Sequence, residues 1–190
     1  MRKIKISAPL KSIAKISGGT IVGQIVSIVT LPVITRLYGA EVMGIWAMIT
    51  ALSYIVQGVC DLGITSGLML EEEAKQVDLL YQVISTFSLI ICIASCLVLF
   101  PYFKIIKQLS LFDSCFFSLL VGMYAFTVKQ VNTCYTWLNR YKKYNILMMN
   151  PVVNYVTVAI FAIGFGLMGF LSYGYYFAVL FGQIFTVVNM

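Results

Sequence analysis

The sequence contains no histidine, and only 11% of its 190 residues are charged. Histidine is the commonest acid–base and metal-binding side chain, so its absence removes the usual means of catalysis near neutral pH. Because 61% of the residues are hydrophobic, a soluble domain of this size could not bury its apolar surface. We therefore expect an integral membrane protein that is not an enzyme and has no cofactor.

Cysteine is sparse as well, and all of it lies within or at the ends of apolar segments. The five cysteines are Cys60, Cys92, Cys96, Cys115 and Cys134. Cys92 and Cys96 would share a helical face, but two thiols make neither a zinc site nor a disulfide framework. We expect no metal site, and cysteines that pack as small apolar side chains.

Six segments are long and apolar enough to cross a bilayer. A spanning helix needs about 20 predominantly apolar residues, and the alternating pattern of a membrane barrel does not occur. The predicted helices are residues 13–37, 43–66, 79–100, 111–138, 149–170 and 173–190. The sequence therefore predicts an all-α integral membrane protein with a single transmembrane domain over residues 1–190.

Lysine and arginine are distributed unevenly over the predicted loops. With the amino terminus inside, the inner side holds Arg2, Lys3, Lys5, Lys11, Lys15, Lys75, Arg140, Lys142 and Lys143, and the outer side holds Arg36, Lys104 and Lys107. This asymmetry predicts that both termini are cytoplasmic. The net charge of +6 then reflects topology and attraction to membrane lipids, and no groove for nucleic acid is predicted.

Polar side chains recur at helical spacing within three predicted helices. The stripes are Thr20, Gln24 and Ser27; Thr50, Ser53, Tyr54, Gln57 and Asp61; and Asn150, Asn154 and Thr157. Hydrogen bonds between helices would explain any single stripe. Three stripes together favour a shared polar cavity, because polar groups in a membrane need a protein partner or water. Gln24, Gln57 and Asn154 are the candidate cavity residues.

Glycine and proline indicate how these helices pack and bend. Gly19 and Gly23 form a GxxxG pair, and Gly63 and Gly67 form another; such pairs let two helix backbones approach closely. Pro32 has no N–H to donate to the carbonyl of residue 28 and predicts a bend in the first helix.

Two charged residues are predicted at equal depth in the membrane. Asp61 and Lys129 each lie 18 positions beyond the start of a helix that runs from outside to inside. An unpaired charge at mid-membrane costs about 2.5–3.5 kcal/mol on insertion scales. We expect an ion pair between them, with separate snorkelling to the interface as the alternative.

Several short motifs resemble a known family. They are GGTIVGQ at 18–24, LPVITRLYGAEVMGIWA at 31–47, DLGITSG at 61–67 and NRYKKYNI at 139–146. Their succession resembles the start of bacterial polysaccharide and O-antigen flippases, in the superfamily that also contains multidrug and toxin extruders and lipid II flippases. The resemblance implies two six-helix lobes around a central cavity in the bacterial inner membrane, with this chain as the amino-terminal lobe.

The resemblance also implies a function, namely moving undecaprenyl-diphosphate-linked oligosaccharide to the outer leaflet by alternating access. Arg36 would lie at the outer mouth, where its guanidinium could hold diphosphate oxygens bidentately; an interface anchor is the alternative. The implied partners are the lipid-linked oligosaccharide, membrane lipids, and a second six-helix half or a second copy.

Three other functions stay open at this point. They are a multidrug extruder of the same superfamily, a membrane glycan polymerase or ligase, and an inactive fragment or interaction subunit. Since the chain stops at Met190, at the end of a predicted helix and without a basic tail, we expect a truncated form of a longer transporter.

Overall fold

The computed structural model describes the backbone of residues 8–71 and 73–190, and within these ranges it is helical with no strand. The helices are α1 (Ala8–Asp61), α2 (Ile64–Leu70), α3 (Ala74–Pro101), α4 (Leu111–Arg140), α5 (Tyr144–Leu167) and α6 (Gly174–Val188), and a π-helical turn, Tyr102–Ile106, extends α3. Four stretches are long and apolar enough to cross a membrane: Ile13–Asp61, Lys75–Ile106, Leu111–Arg140 and Tyr144–Leu167. The all-α prediction is confirmed, and these stretches have the composition of membrane helices.

Helix α1 consists of two arms that meet at Gly39. The φ and ψ of Gly39, 75° and 169°, lie in a region that essentially only glycine adopts. The first arm, residues 8–38, runs parallel to α5: Lys15 donates to the Asn145 side chain near the start of both helices, and Tyr38 donates to the Ala162 carbonyl (2.6 Å) near the end. The helix continues through Pro32, so the break lies beyond the proline.

The second arm, residues 40–61, runs beside α4 in the same direction as α4. Ser53 Oγ donates to the Val121 carbonyl (3.1 Å), and eight residues further along each helix Asp61 meets Lys129. Residues of both arms line one cavity, so the chain reverses at Gly39 and α1 is a helical hairpin. The predicted helix 43–66 is interrupted, because Leu62 and Gly63 have positive φ angles and α2 begins after them.

The segments that connect the helices lie at the two ends of the bundle. We call one the basic end, because Lys15, Arg140, Lys142 and Lys143 lie there. At the opposite, far end, Ser110 caps α4 by accepting from the Asp113 N–H (3.1 Å). The Tyr173 hydroxyl donates to the Asp113 carboxylate (3.0 Å), and this hydrogen bond raises the pKa of Tyr173. The contact joins the start of α4 to the turn before α6.

Helix α4 is the most buried of the four apolar stretches and contacts α1, α3, α5 and α6. Towards the far end it packs in an aromatic core, where the Trp46 ring lies 4.9 Å from Tyr124 and 5.9 Å from Tyr176, between centroids. Large apolar side chains on the outside of the bundle are exposed, as Ile28 and Leu97 illustrate. Such an apolar outer surface suits lipid contact.

The first glycine pair forms the close helix contact that the sequence predicted. A Cβ at Gly19 would clash with the backbone carbonyl of Met148, and a Cβ at Gly23 would lie 3.1 Å from the backbone of Pro151. The first arm of α1 therefore packs almost backbone to backbone on α5. The second pair does not act in this way, because Gly63 forms the turn before α2, and nothing lies within 4 Å of the position that its Cβ would take.

Replacing Gly19 with alanine tests this contact. Because the new methyl group would meet backbone and not a flexible side chain, we expect Gly19→Ala to destabilise the protein by about 1–3 kcal/mol. Gly18→Ala is the matched control, since nothing lies within 4 Å of that position. Thermal unfolding in nanodiscs measures both variants, and equal melting temperatures would contradict the contact.

Candidate functional site

A buried ion pair lies near the basic end of the bundle. Lys129 Nζ donates to Asp61 Oδ1 and to Thr65 Oγ1 (2.5 Å), and the Thr65 hydroxyl donates to the same carboxylate oxygen (2.5 Å). The side chain of Lys129 is 1% exposed, whereas that of Asp61 is 45% exposed. Asp61 and Lys129 are thus in contact, as their equal depth led us to expect. The carboxylate faces open space and the ammonium is enclosed by protein.

The local fold explains how three residues from three helices meet. Asp61 is the last residue of α1, and the turn at Leu62 and Gly63 brings the first turn of α2, with Thr65, back beside it. Lys129 comes from α4, which runs alongside the second arm of α1. The threonine hydroxyl accepts from the ammonium and donates to the carboxylate, so it joins the two charges in one network.

An open cavity of about 720 Å³ surrounds the carboxylate, and we call it the ion-pair cavity. Its polar lining comes from the second arm of α1, from α2 and from α4. The main polar lining residues are Gln57, Asp61, Thr65, Lys129, Asn132, Thr136 and Asn139. An open compartment with polar side chains thus lies within a bundle whose outer surface is apolar.

Two further cavities adjoin it. The amide cavity, about 320 Å³, lies between the first arm of α1 and helices α4, α5 and α6. Its polar lining residues are Thr20, Asn132, Tyr135, Asn150, Asn154, Tyr155, Gln183 and Thr186. The tyrosine cavity, about 200 Å³, lies nearer the far end, and its polar lining residues include Ser27, Tyr54, Tyr124, Asn154 and Gln183.

Shared residues join the three cavities into one polar trough. Asn132 and Tyr135 line both the ion-pair and the amide cavity, and Asn154 and Gln183 line both the amide and the tyrosine cavity. No described residue that lines the amide or the tyrosine cavity carries a formal charge. The trough is therefore charged at one end and neutral along the rest of its length.

The predicted site residues fall into two groups. Gln57 and Asn154 line the trough, and Asn154 Nδ2 donates to Thr186 Oγ1 (3.0 Å). Gln24 and Arg36 are exposed on the first arm of α1, and neither is among the residues that line the three cavities. Arg36 lies three residues before the reversal at Gly39, at the far end and away from the ion pair.

The polar residues of α4 and α6 were not among the predicted stripes. Asn132, Thr136 and Asn139 recur at i, i+4 and i+7, and Gln183 and Thr186 at i and i+3. This is the same helical spacing that revealed the three predicted stripes. Asn132 and Thr136 lie near the end of the predicted helix 111–138, and Asn139 lies just beyond it.

Two other features of the bundle have little bearing on the trough. Cys60 and Cys92 are buried with their sulfur atoms 4.0 Å apart, between the second arm of α1 and α3. Within the described parts of the chain, no three cysteine, aspartate or glutamate side chains come together as a metal site would require.

Comparison with known proteins assigns no family: no protein-family model, curated protein or solved structure matches the chain. The function must therefore be argued from the trough itself. Its amides and hydroxyls can replace water around a polar solute at the depth of the bilayer, where hydrocarbon offers no hydrogen bonds. At its charged end the group that faces open space is the Asp61 carboxylate, because Lys129 is enclosed and paired with it.

The unequal burial of the ion pair predicts unequal effects of neutralising its two members. Asp61→Asn leaves an ammonium enclosed by protein, so we expect a loss of the order of 3 kcal/mol in the free energy of unfolding. Lys129→Met removes the buried charge and leaves a carboxylate that faces open space, so its effect should be clearly smaller. Thermal unfolding in nanodiscs measures the difference.

Two controls sharpen this test. Asp78→Asn removes an exposed acid from α3 and should leave the melting temperature unchanged. The double exchange Asp61→Lys with Lys129→Asp should recover part of what either single reversal loses. Equal losses for Asp61→Asn and Lys129→Met would contradict the effect of unequal burial, and no recovery in the exchange would show that the two charges are energetically independent.

Proposed function

We propose that the chain is one lobe of a transporter that moves undecaprenyl-diphosphate-linked oligosaccharide from the cytoplasmic to the outer leaflet of the bacterial inner membrane. The observation that carries this proposal is the polar trough inside an apolar bundle. Sugar hydroxyls cannot cross hydrocarbon without hydrogen-bond partners, because each unsatisfied hydroxyl costs several kcal/mol. A trough lined by amides and hydroxyls supplies such partners without covalent chemistry.

In this proposal the chain crosses the membrane six times, with the basic end in the cytoplasm. The two arms of α1 provide two crossings, and α3, α4, α5 and α6 provide the others. The excess of lysine and arginine at the basic end supports this orientation. With 15 residues α6 is about 22 Å long, so it crosses only where the bilayer thins or flanking residues extend its span.

Amides at the junctions between the three cavities favour a sugar-containing substrate over an apolar drug. They belong to Asn132, Asn154 and Gln183, and each can both donate and accept hydrogen bonds. A membrane potential of about 100 mV, negative inside, favours outward movement of each negative charge by roughly 2.3 kcal/mol.

A second lobe, or a second copy of the chain, would close the trough. Tyr54 is 57% exposed and Asp61 is 45% exposed, although both belong to a helix that is predicted to lie in the membrane. Contact of these polar groups with lipid tails would be costly. A facing lobe would shield them and would provide the other wall of an alternating-access cavity.

Reconstitution into liposomes tests the proposal. We expect liposomes that contain the full chain at high density to move a fluorescent undecaprenyl-diphosphate oligosaccharide between leaflets, measured as the fraction that an added lectin can reach. Gln183→Leu should slow this movement about fivefold, because it removes an amide that lines two cavities.

Gln82→Leu is the matched control, since Gln82 is an exposed amide on α3, and it should move substrate at the rate of the unchanged chain. Movement no faster than in protein-free liposomes would reject transport by paired copies of this chain. Transport of apolar dyes in place of the oligosaccharide would indicate a multidrug extruder instead.

A further inference from the structure

We infer that the amide cavity binds one neutral sugar ring, a pyranose, through Asn150. This site assigns the position of a sugar within the trough, and its role in transport rests on the proposed function. The binding itself does not, because a free glycoside can be measured against this cavity without any lipid carrier.

The inference starts from an unsatisfied polar atom. Asn150 is 2% exposed and lines the amide cavity, and its side-chain oxygen, Oδ1, is buried without a hydrogen-bond partner in the described structure. Buried polar groups in folded proteins nearly always have a partner, and leaving one unsatisfied destabilises the fold. Because Asn150 lines the amide cavity, a ligand hydroxyl there could supply the missing donor once the side-chain amide rotates.

Tight packing holds Asn150 in this environment. The residue lies in the second turn of α5, next to Pro151, where Gly23 brings the first arm of α1 against the α5 backbone. On the other side, a Cβ at Gly182 of α6 would clash with Val158 of α5. Asn150 is accordingly almost completely enclosed, although the contact at Gly182 lies two turns further along α5.

The remaining lining defines the chemistry of the ligand. Asn132, Asn154 and Gln183 add amides that can both donate and accept, and Thr20 and Thr186 add hydroxyls. The described lining carries no formal charge, so a bound phosphate would lack a counter-charge and a metal ion would lack a carboxylate. Alternating donors and acceptors on several sides suit a ring with hydroxyl groups.

The aromatic residues and the volume agree with a single ring. Tyr135 and Tyr155 line the cavity, and aromatic faces can pack against the C–H surface of a sugar; Tyr135 is held by a hydrogen bond from its hydroxyl to the Leu147 carbonyl (3.1 Å). The volume of 320 Å³ is at the small end of the range of about 300–1,000 Å³ for ligand sites. It corresponds to roughly ten water molecules, which leaves room for one ring and not for a chain of sugars.

Saturation-transfer NMR with neutral methyl glycosides tests the site. The full chain is placed in nanodiscs of zwitterionic lipid without sugar-based detergent, and methyl glucoside, methyl galactoside and methyl N-acetylglucosaminide are titrated. We expect a saturable signal for at least one glycoside, a loss of affinity of about fivefold or more in Asn150→Leu, and unchanged affinity in Gln82→Leu. Gln183 lies on another helix, α6, and Gln183→Leu should weaken the binding of the same glycoside.

A stability measurement separates a binding role from a structural one. Because Oδ1 of Asn150 has no protein partner, Asn150→Leu should keep or raise the melting temperature of the ligand-free chain while it loses the glycoside. If Asn150→Leu lowers the melting temperature and Gln183→Leu keeps its affinity for the glycoside, the amide of Asn150 is structural. That result would overturn the inference. Saturable binding to none of the three glycosides would overturn it as well.

The liposome assay distinguishes this failure from failure of the proposed function. If Asn150→Leu moves the lipid-linked oligosaccharide as fast as the unchanged chain, the sugar site is wrong and the transport proposal stands. If a glycoside binds in an Asn150-dependent way but the lipid-linked substrate does not move, the sugar site stands and the transport proposal fails.

Discussion

A charged lysine enclosed in an apolar bundle needs a partner, and Lys129 obtains it from Asp61. This requirement sets the register of the second arm of α1 against α4, because the ion pair and the Ser53–Val121 hydrogen bond lie eight residues apart on both helices. It also places α2, since Thr65 bridges the two charges. The ion-pair cavity forms where these three helices meet, so one electrostatic constraint determines both local packing and the charged end of the trough.

The features that could be predicted from the sequence depend on local patterns. Apolar length predicted the helices, because a helix in hydrocarbon must satisfy its own backbone. The Gly19–Gly23 spacing predicted a close helix contact, since small residues on one face leave room for a backbone. The contact between Asp61 and Lys129 was predicted from their equal depth, because their two helices run in the same direction between the same two membrane borders.

The features that escaped depend on distant parts of the chain. Spacing gives the face of a helix that is polar but not the helix that it meets, so Gln24 looked equivalent to Gln57 although only Gln57 reaches a cavity. The sequence predicted a break between residues 37 and 43, and the chain reverses within it, but no pattern identified Gly39 as the residue that makes the turn. The polar stripe of α4 lies at the end of the predicted helix 111–138.

The trough changes in character along its length, and this change bears on function more than any single residue does. An ion pair with an exposed carboxylate lies at the basic end, amides follow, and aromatic rings with hydroxyls lie towards the far end. A site for an inorganic ion would concentrate its charges, and a site for an apolar solute would dispense with the amides. A neutral molecule with many hydroxyl groups matches the amides and the aromatic rings, which is why a sugar fits this part of the lining better than either.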